Sequence, residues 1–291
     1  MSSNLIDLRS MMHTFFCGHL GWQLLNAREA PLKFRPIVWL RNTVRNRLKG
    51  SMIGRALLRG NPPLTKLRVV SATRMDEKAF WKSSALGRSL TSWKRDPRLT
   101  FDIAFENRRG LPTVYNTALT SAGKAEAVLF VHDDVWLDDS QWLDKLLVSL
   151  KRYDVVGVAG NRRRVKDQVA WLYLKEENGK FWLDAGNLSG AVAHGRNPGG
   201  EVSMFGPWHQ HCELLDGLFI AVRNDVAKRS AVRFDERFNF HFYDIDFCRS
   251  ARQAGLSIGT WPIALTHQST GAFDSPGWRD GLTRYRAKWK S

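Results

Sequence analysis

The stretch Ala127-Val128-Leu129-Phe130-Val131-His132-Asp133-Asp134-Val135 decides the fold. An unbroken apolar run of strand length predicts a strand over Ala127–His132 that is buried on both faces, as in the interior of a parallel sheet. Two acids follow it directly, at the strand end where open α/β sheets place their ligands. Upstream, Leu67–Ala72 predicts a strand and residues from about 76 to 90 a helical stretch. Leu99–Phe105 predicts a second strand behind the Asp96-Pro97 turn, with a helix beginning near Pro112, a favoured first-turn residue. Downstream, Asp138-Asp139-Ser140 are candidate caps for a helix whose Trp142, Leu143, Leu146, Leu147 and Leu150 share one face. Asp154–Ala159 predicts a fourth strand.

Beyond residue 160 the alternation breaks. Val169–Lys175 and Lys180–Leu183 flank Asn178-Gly179, a strong hairpin signal. Gly186, Gly190, Gly195, Gly199 and Gly200 predict a mobile loop. Asp216–Val222 predicts another buried strand, and a helix starts near Asp244 and stops before Gly255, a natural residue just past a helix end. Ser257–Thr266 predicts the last strand and Trp278–Trp289 a basic terminal helix.

The chain has 291 residues with a formal charge of +16, of which residues 1–66, with 11 basic and 2 acidic side chains, carry more than half. Residues 1–63 alternate apolar clusters with basic stretches and predict a partly helical appendage; 64–291 form the main domain, with Pro62-Pro63 punctuating the boundary. A basic amphipathic arm fits an anionic membrane surface, and equally fits packing against the main domain or a second subunit. No run approaches the length of a membrane span, no secretory signal is legible, and three scattered cysteines fit neither a disulfide framework nor a zinc pattern. A cytoplasmic location follows as the expectation, with peripheral attachment at the inner membrane face as its extension.

G-x-G-x-x-G, Walker A, H-E-x-x-H and C-x-x-C are all missing from the chain, which argues against a dinucleotide oxidoreductase or a P-loop enzyme. What remains is a set of acids at strand ends. Asp133 and Asp134 are hard oxygen ligands suited to Mg²⁺ or Mn²⁺ on a diphosphate; as a bland alternative they cap a turn. Asp244 and Asp246 open a helix inside the aromatic run Phe240–Phe247, where a carboxylate serves either as a cap or as a general base with a tuned pKa. His267 lies just past the final strand.

In this order the residues resemble the family 2–type nucleotide-sugar glycosyltransferases of the GT-A fold. Leu67–Arg74 matches the first nucleotide-binding strand, Phe105–Asn116 the second strand, loop and helix, and Phe130–Val135 stands in the place of the D-x-D-type motif. Leu215–Phe219 resembles the acceptor-side glycine segment, Phe234–Phe238 through Tyr243–Asp246 the F-D-E…E-D-x-D stretch, and His267 a late metal- or diphosphate-contacting histidine. The resemblance implies an α/β GT-A domain with a mostly parallel central sheet flanked by helices. It further implies a nucleotide-diphosphate sugar donor, a glycan or lipid-linked acceptor, Mn²⁺ or Mg²⁺ held by Asp134 and His267, and Asp244 as the base. Thr73, Glu106, Asp133, Asp216 and Gly217 become donor-binding candidates, and Trp208 a candidate platform for a sugar face. Two departures stand out: Tyr243 replaces the usual Glu, and Asp133-Asp134-Val135 lacks the D-x-D spacing. Tyr243 prompts a rival reading as an inactive binding module. The charge prompts a nucleic-acid-binding one, which leaves the strand-end acids without a role and ranks below.

Overall fold

The computed structural model describes residues 64–121, 125–269, 271 and 273–290; the appendage expected over 1–63 lies outside the described residues. The first sheet is built around β3 (Ala127–Val131), all five of whose residues are at most 1% exposed. Each such fully buried Val, Leu or Phe is worth about 1.5–3 kcal/mol, so this strand anchors the core. β1 (Leu67–Ala72) pairs parallel with both β3 and β2 (Leu99–Ala104). β2 alternates buried and exposed residues because it is the sheet edge. Pro112 sits in the first turn of α3 (Leu111–Thr120), as expected.

The predicted helix over 76–90 is two helices, α1 (Glu77–Ser83) and α2 (Ala85–Leu90). Ser84 ends the first in extended conformation and caps the second, its Oγ accepting from Gly87 N–H. The capping expectation for the next helix is corrected. α4 (Trp142–Ser149) has Gln141 at its N-cap with no side-chain cap bond, while Asp138 bonds Thr266 Oγ1 and Asp139 pairs with Lys145.

The central sheet, ordered β13-β5-β12-β3-β1-β2, is mostly parallel, with one antiparallel strand inserted. That strand is β12 (Phe219–Arg223), antiparallel to both β3 and β5 (Val155–Gly157). Its reversal brings its N-terminal end, not its C-terminal end, to the carboxyl edge of β3, with Phe219 opposite Val131. The residues just before β12 therefore join the ligand-binding edge.

Two further expectations are corrected. Asp154–Ala159 is not one strand: β5 belongs to the central sheet and β6 (Ala159–Asn161) to a second sheet, ordered β11-β6-β9-β14-β4. Ser257–Thr266 likewise divides into β13 (Ile258–Thr260) and β14 (Leu265–His267). The chain also passes between the sheets from β3 to β4 (Val135–Leu137) and from β11 (Leu214–Leu215) to β12. Four short segments thus stitch one sheet to the other.

The glycine-rich stretch is ordered as β9 (Leu188–His194) and β10 (Glu201–Gly206), an antiparallel pair rather than a mobile loop. The glycines permit close packing: a Cβ on Gly190, whose φ is +94°, would lie 1.9 Å from the Val158 carbonyl oxygen. The Asn178-Gly179 hairpin forms as expected between β7 (Tyr173–Glu177) and β8 (Lys180–Leu183), with both turn residues at positive φ. α5 (Asn224–Ser230), α6 (Tyr243–Gln253) and α7 (Pro276–Trp289) complete the fold, with Gly255 at φ +77° just past α6.

Candidate active site and metal triad

His132, Asp133 and Asp134 form the β3-to-β4 crossing, and three different elements pin their backbone. His132 N–H donates to Leu218 O (3.1 Å), Leu86 N–H to Asp133 O (3.1 Å) and Gln268 N–H to Asp134 O (3.0 Å). Across the seam, β14 pairs with β4 so that His267 faces Val135, and parallel pairing with β9 sets His194 beside His267.

This register assembles His132, Asp134 and His267, whose nearest ligand atoms all lie within 4.8 Å of one another. His267 Nε2 is 3.3 Å from Asp134 Oδ2 and 3.0 Å from Ser269 Oγ. Burial alone would raise the Asp134 carboxyl and lower the His267 imidazole. Their mutual bond and charge outweigh it, so Asp134 titrates below its ordinary range and His267 above. Desolvation pushes His132 down to about 4, leaving it neutral at pH 7. Among the described residues Asp134 Oδ1 is buried without a hydrogen-bond partner. An unpaired buried carboxylate oxygen beside two imidazoles is costly alone and is satisfied by a divalent cation, so these residues fit a metal.

The spacing is not D-x-D but His132-x-Asp134, with an imidazole at the first position. Asp133 lies outside the triad: its carboxyl is raised by burial, an effect opposed by a bond from the Thr73 hydroxyl. Thr73 and Glu106 come together at the ends of β1 and β2. Thr73 N–H donates to Ala104 O (2.9 Å), Asn107 N–H to Thr73 O (2.8 Å) and Glu106 N–H to Met75 O (2.9 Å), with Glu106 at φ +46°. Thr73 is buried and Glu106 exposed. Trp208 is half-buried, its carbonyl taken by Gln210 Nε2, and its hydrogen bonds do not join it to the acids.

Asp244 sits in the first turn of α6 but does not cap it. The N-cap is Phe242, without a side-chain bond and at φ +68°, a left-handed conformation costing a bulky residue about 1–3 kcal/mol. Asp244 Oδ2 instead accepts from Gly217 N–H at 3.1 Å. Its carboxyl is pushed up to about 7, first by desolvation and then by the like charge of Asp216. Asp216, itself raised by burial, accepts from Leu218 N–H at 3.1 Å, and its own N–H donates to Ala159 O at 3.0 Å. Gly217 is required: a Cβ there would lie 2.5 Å from Tyr243 Oη and 2.9 Å from Asp244 Cβ. Tyr243 Oη donates to Gly217 O (2.8 Å) and lies 2.8 Å from His132 Nε2. One hydrogen-bonded path therefore links the triad to Asp244.

Sequence reasoning passed over His132 and His194. The i, i+2 spacing of His132 and Asp134 was a signal for the first. For His194, whose Nδ1 is buried without a partner among the described residues and whose ring lies 6.0 Å from that of His267, only the strand register tells. Phe240, half exposed and stacked on His132 at 5.7 Å, was also missed.

Three side chains able to hold a divalent cation and a carboxylate of raised pKa thus gather at the carboxyl edge of the central sheet. A family model described as a glycosyltransferase-like family matches residues 101–270, more than half of the chain, and the chain belongs to that family. No curated protein matches the chain. Among solved structures it is similar to GalNAc-T7 with UDP, GalNAc and Mn²⁺, at 10% identity and a TM-score of 0.44, covering 77% of this chain and 48% of that one. It is also similar to the mannosyltransferase PcManGT from Pyrobaculum calidifontis in complex with GDP-Man and Mn²⁺, at 14% identity and a TM-score of 0.41, covering 87% of this chain and 72% of the other. The chain thus spans about half the length of the first of these.

Proposed function

We propose that the protein moves a sugar from a nucleotide-diphosphate donor to an acceptor hydroxyl by single displacement with inversion. The observation that carries this reading is the hydrogen-bonded path joining the His132–Asp134–His267 triad to Asp244 through Tyr243 and Gly217. His132, Asp134 and His267 would hold the cation, and two imidazoles in the set favour Mn²⁺ over Mg²⁺, which prefers oxygen. When bound, the cation supplies Lewis-acid stabilisation of charge on the departing nucleotide diphosphate.

Asp244 takes the proton of the acceptor hydroxyl, a task its carboxyl near pH 7 suits, and Asp216 maintains that basicity. Thr73, Glu106 and Asp133 bind the nucleoside and ribose at the ends of β1 to β3. Gly217 lets the chain pass close to the base, and Phe240 offers an apolar face to a sugar ring. The acceptor class is a glycan or lipid-linked glycan of surface polysaccharide synthesis, and residues 1–63 bring the domain to an anionic membrane face. Among the described residues no helix is long and apolar enough to cross a membrane.

The test is donor hydrolysis and transfer across UDP-, GDP- and dTDP-sugars with Mn²⁺ or Mg²⁺. Asp134→Ala is expected to abolish metal-dependent turnover while the melting curve stays cooperative. Metal-dependent turnover in that variant would remove Asp134 from the metal site. Co-sedimentation with anionic vesicles, with and without residues 1–63, tests the arm.

A further inference from the structure

Tyr243 stands where the resembled family has Glu, and the buried geometry around it gives the phenol a task. Its hydroxyl lies 2.8 Å from Gly217 O and 2.8 Å from His132 Nε2. A carbonyl oxygen only accepts, so the single hydroxyl proton lies on the Gly217 side. Tyr243 Oη then meets His132 with lone pairs, and the proton between them must be carried by Nε2. The reverse arrangement would press the lone pairs of Oη against the Gly217 carbonyl at 2.8 Å, which is repulsive. An imidazole that ligates a cation is neutral and carries one ring proton only. With that proton on Nε2, Nδ1 holds a bare lone pair.

The geometry points to Tyr243 as a positioning residue that locks His132 in its Nε2–H tautomer and thereby presents Nδ1 to the divalent cation. This rests on the triad reading above and adds to it which imidazole nitrogen binds and what holds it ready. Partners that orient a metal-bound histidine in this way are typically worth about 10–100-fold in metal affinity. The arrangement also explains why a tyrosine is kept at a crowded position. Its ring is 3% exposed, and its hydroxyl is the atom a Gly217 side chain would strike first.

Two measurements on the full chain decide it. Nitrogen-15 imidazole correlation spectra of the metal-free protein at neutral pH, with His132 assigned by loss of its signals in His132→Gln, should show the proton on Nε2. Mn²⁺ titration followed by electron paramagnetic resonance should then give about 10–100-fold weaker binding in Tyr243→Phe, which keeps the ring and removes only the hydroxyl. A proton on Nδ1 of His132, or wild-type Mn²⁺ affinity in folded Tyr243→Phe, overturns the role of Tyr243. If Tyr243→Phe does not fold, the tautomer of the unsubstituted protein decides alone. Asp134→Asn serves as the separate control. Loss of Mn²⁺ binding there supports the triad, and retained binding overturns the triad itself while the spectra still decide the tautomer.

Discussion

Two carboxylates two residues apart on α6 meet opposite surroundings. Asp246 is fully buried and completely answered: Lys288 Nζ lies 2.7 and 2.9 Å from its two oxygens, and Trp289 Nε1 donates at 2.8 Å. It fastens α7 to α6. Asp244 is partly accessible, forms no ion pair among the described residues, and faces the like charge of Asp216. One acid is neutralised and holds the fold together; the other is left basic and partly accessible. The difference separates a structural carboxylate from a chemical one more clearly than the sequence spacing of either.

Substituting each acid should break the symmetry completely. Asp244→Asn keeps the shape but cannot accept a proton, so kcat is expected to fall about 10²–10⁴-fold with little change in donor KM. Steady-state kinetics at saturating acceptor checks this. Wild-type kcat in Asp244→Asn would return the residue to the fold.

Gly217→Ala intrudes on the Asp244 side without touching Asp246. The added methyl meets Tyr243 Oη and Asp244 Cβ inside contact distance, so a stability loss of about 1–3 kcal/mol is expected. A disproportionate loss of turnover should accompany it. Thermal melts beside turnover on the same sample give both values.

Asp246→Ala should do the reverse. Breaking the buried pair is expected to cost about 3 kcal/mol, the low end for such pairs because Lys288 keeps Asp235 at 2.8 Å. That corresponds to a Tm drop of roughly 6–12 °C, with kcat per folded molecule nearly unchanged.

The smallest effect is in pH. Asp244 works only when ionised, so kcat/KM should climb with pH and level off above about 7. Asp216→Asn removes the like charge and should move that rise to lower pH. The stability sign is opposite to that of a salt-bridged acid. With its pKa raised by the fold, Asp244 contributes stability below its unfolded pKa of about 3.9 and loses it as pH rises through about 7. Asp244→Asn should accordingly flatten the fall in Tm over that interval. An unshifted rate profile in Asp216→Asn would show that desolvation alone raises Asp244.

The alternation of apolar strands and amphipathic helices up to residue 150 was legible because local patterning and burial agree there. The acids of the candidate site stand out in the sequence too, since strand ends are where such sheets bind ligands, though the spacing does not separate Asp134 from Asp133, which lies outside the triad. The strands over 154–159 and 257–266 were read as single because an apolar run carries no mark of where a chain leaves one sheet for another. Only pairing partners supply that mark, and they are distant in sequence. The ordered β9–β10 pair was hidden for a related reason: its glycines serve close backbone approach, as at Gly190 beside Val158, which sequence alone cannot tell from looseness. His194 depended on the same long-range register.

The four segments that stitch the sheets together have a mechanical consequence. Two of them, His132–Asp134 and Asp216–Leu218, carry acids of the site, and the others are Val158 and residues 261–264. Four covalent links of one to four residues each leave no axis about which one layer could swing from the other. The two sheets are therefore held as one body along this edge. On the proposed reading, the spacing from His132, Asp134 and His267 to Asp244 is held by these same links.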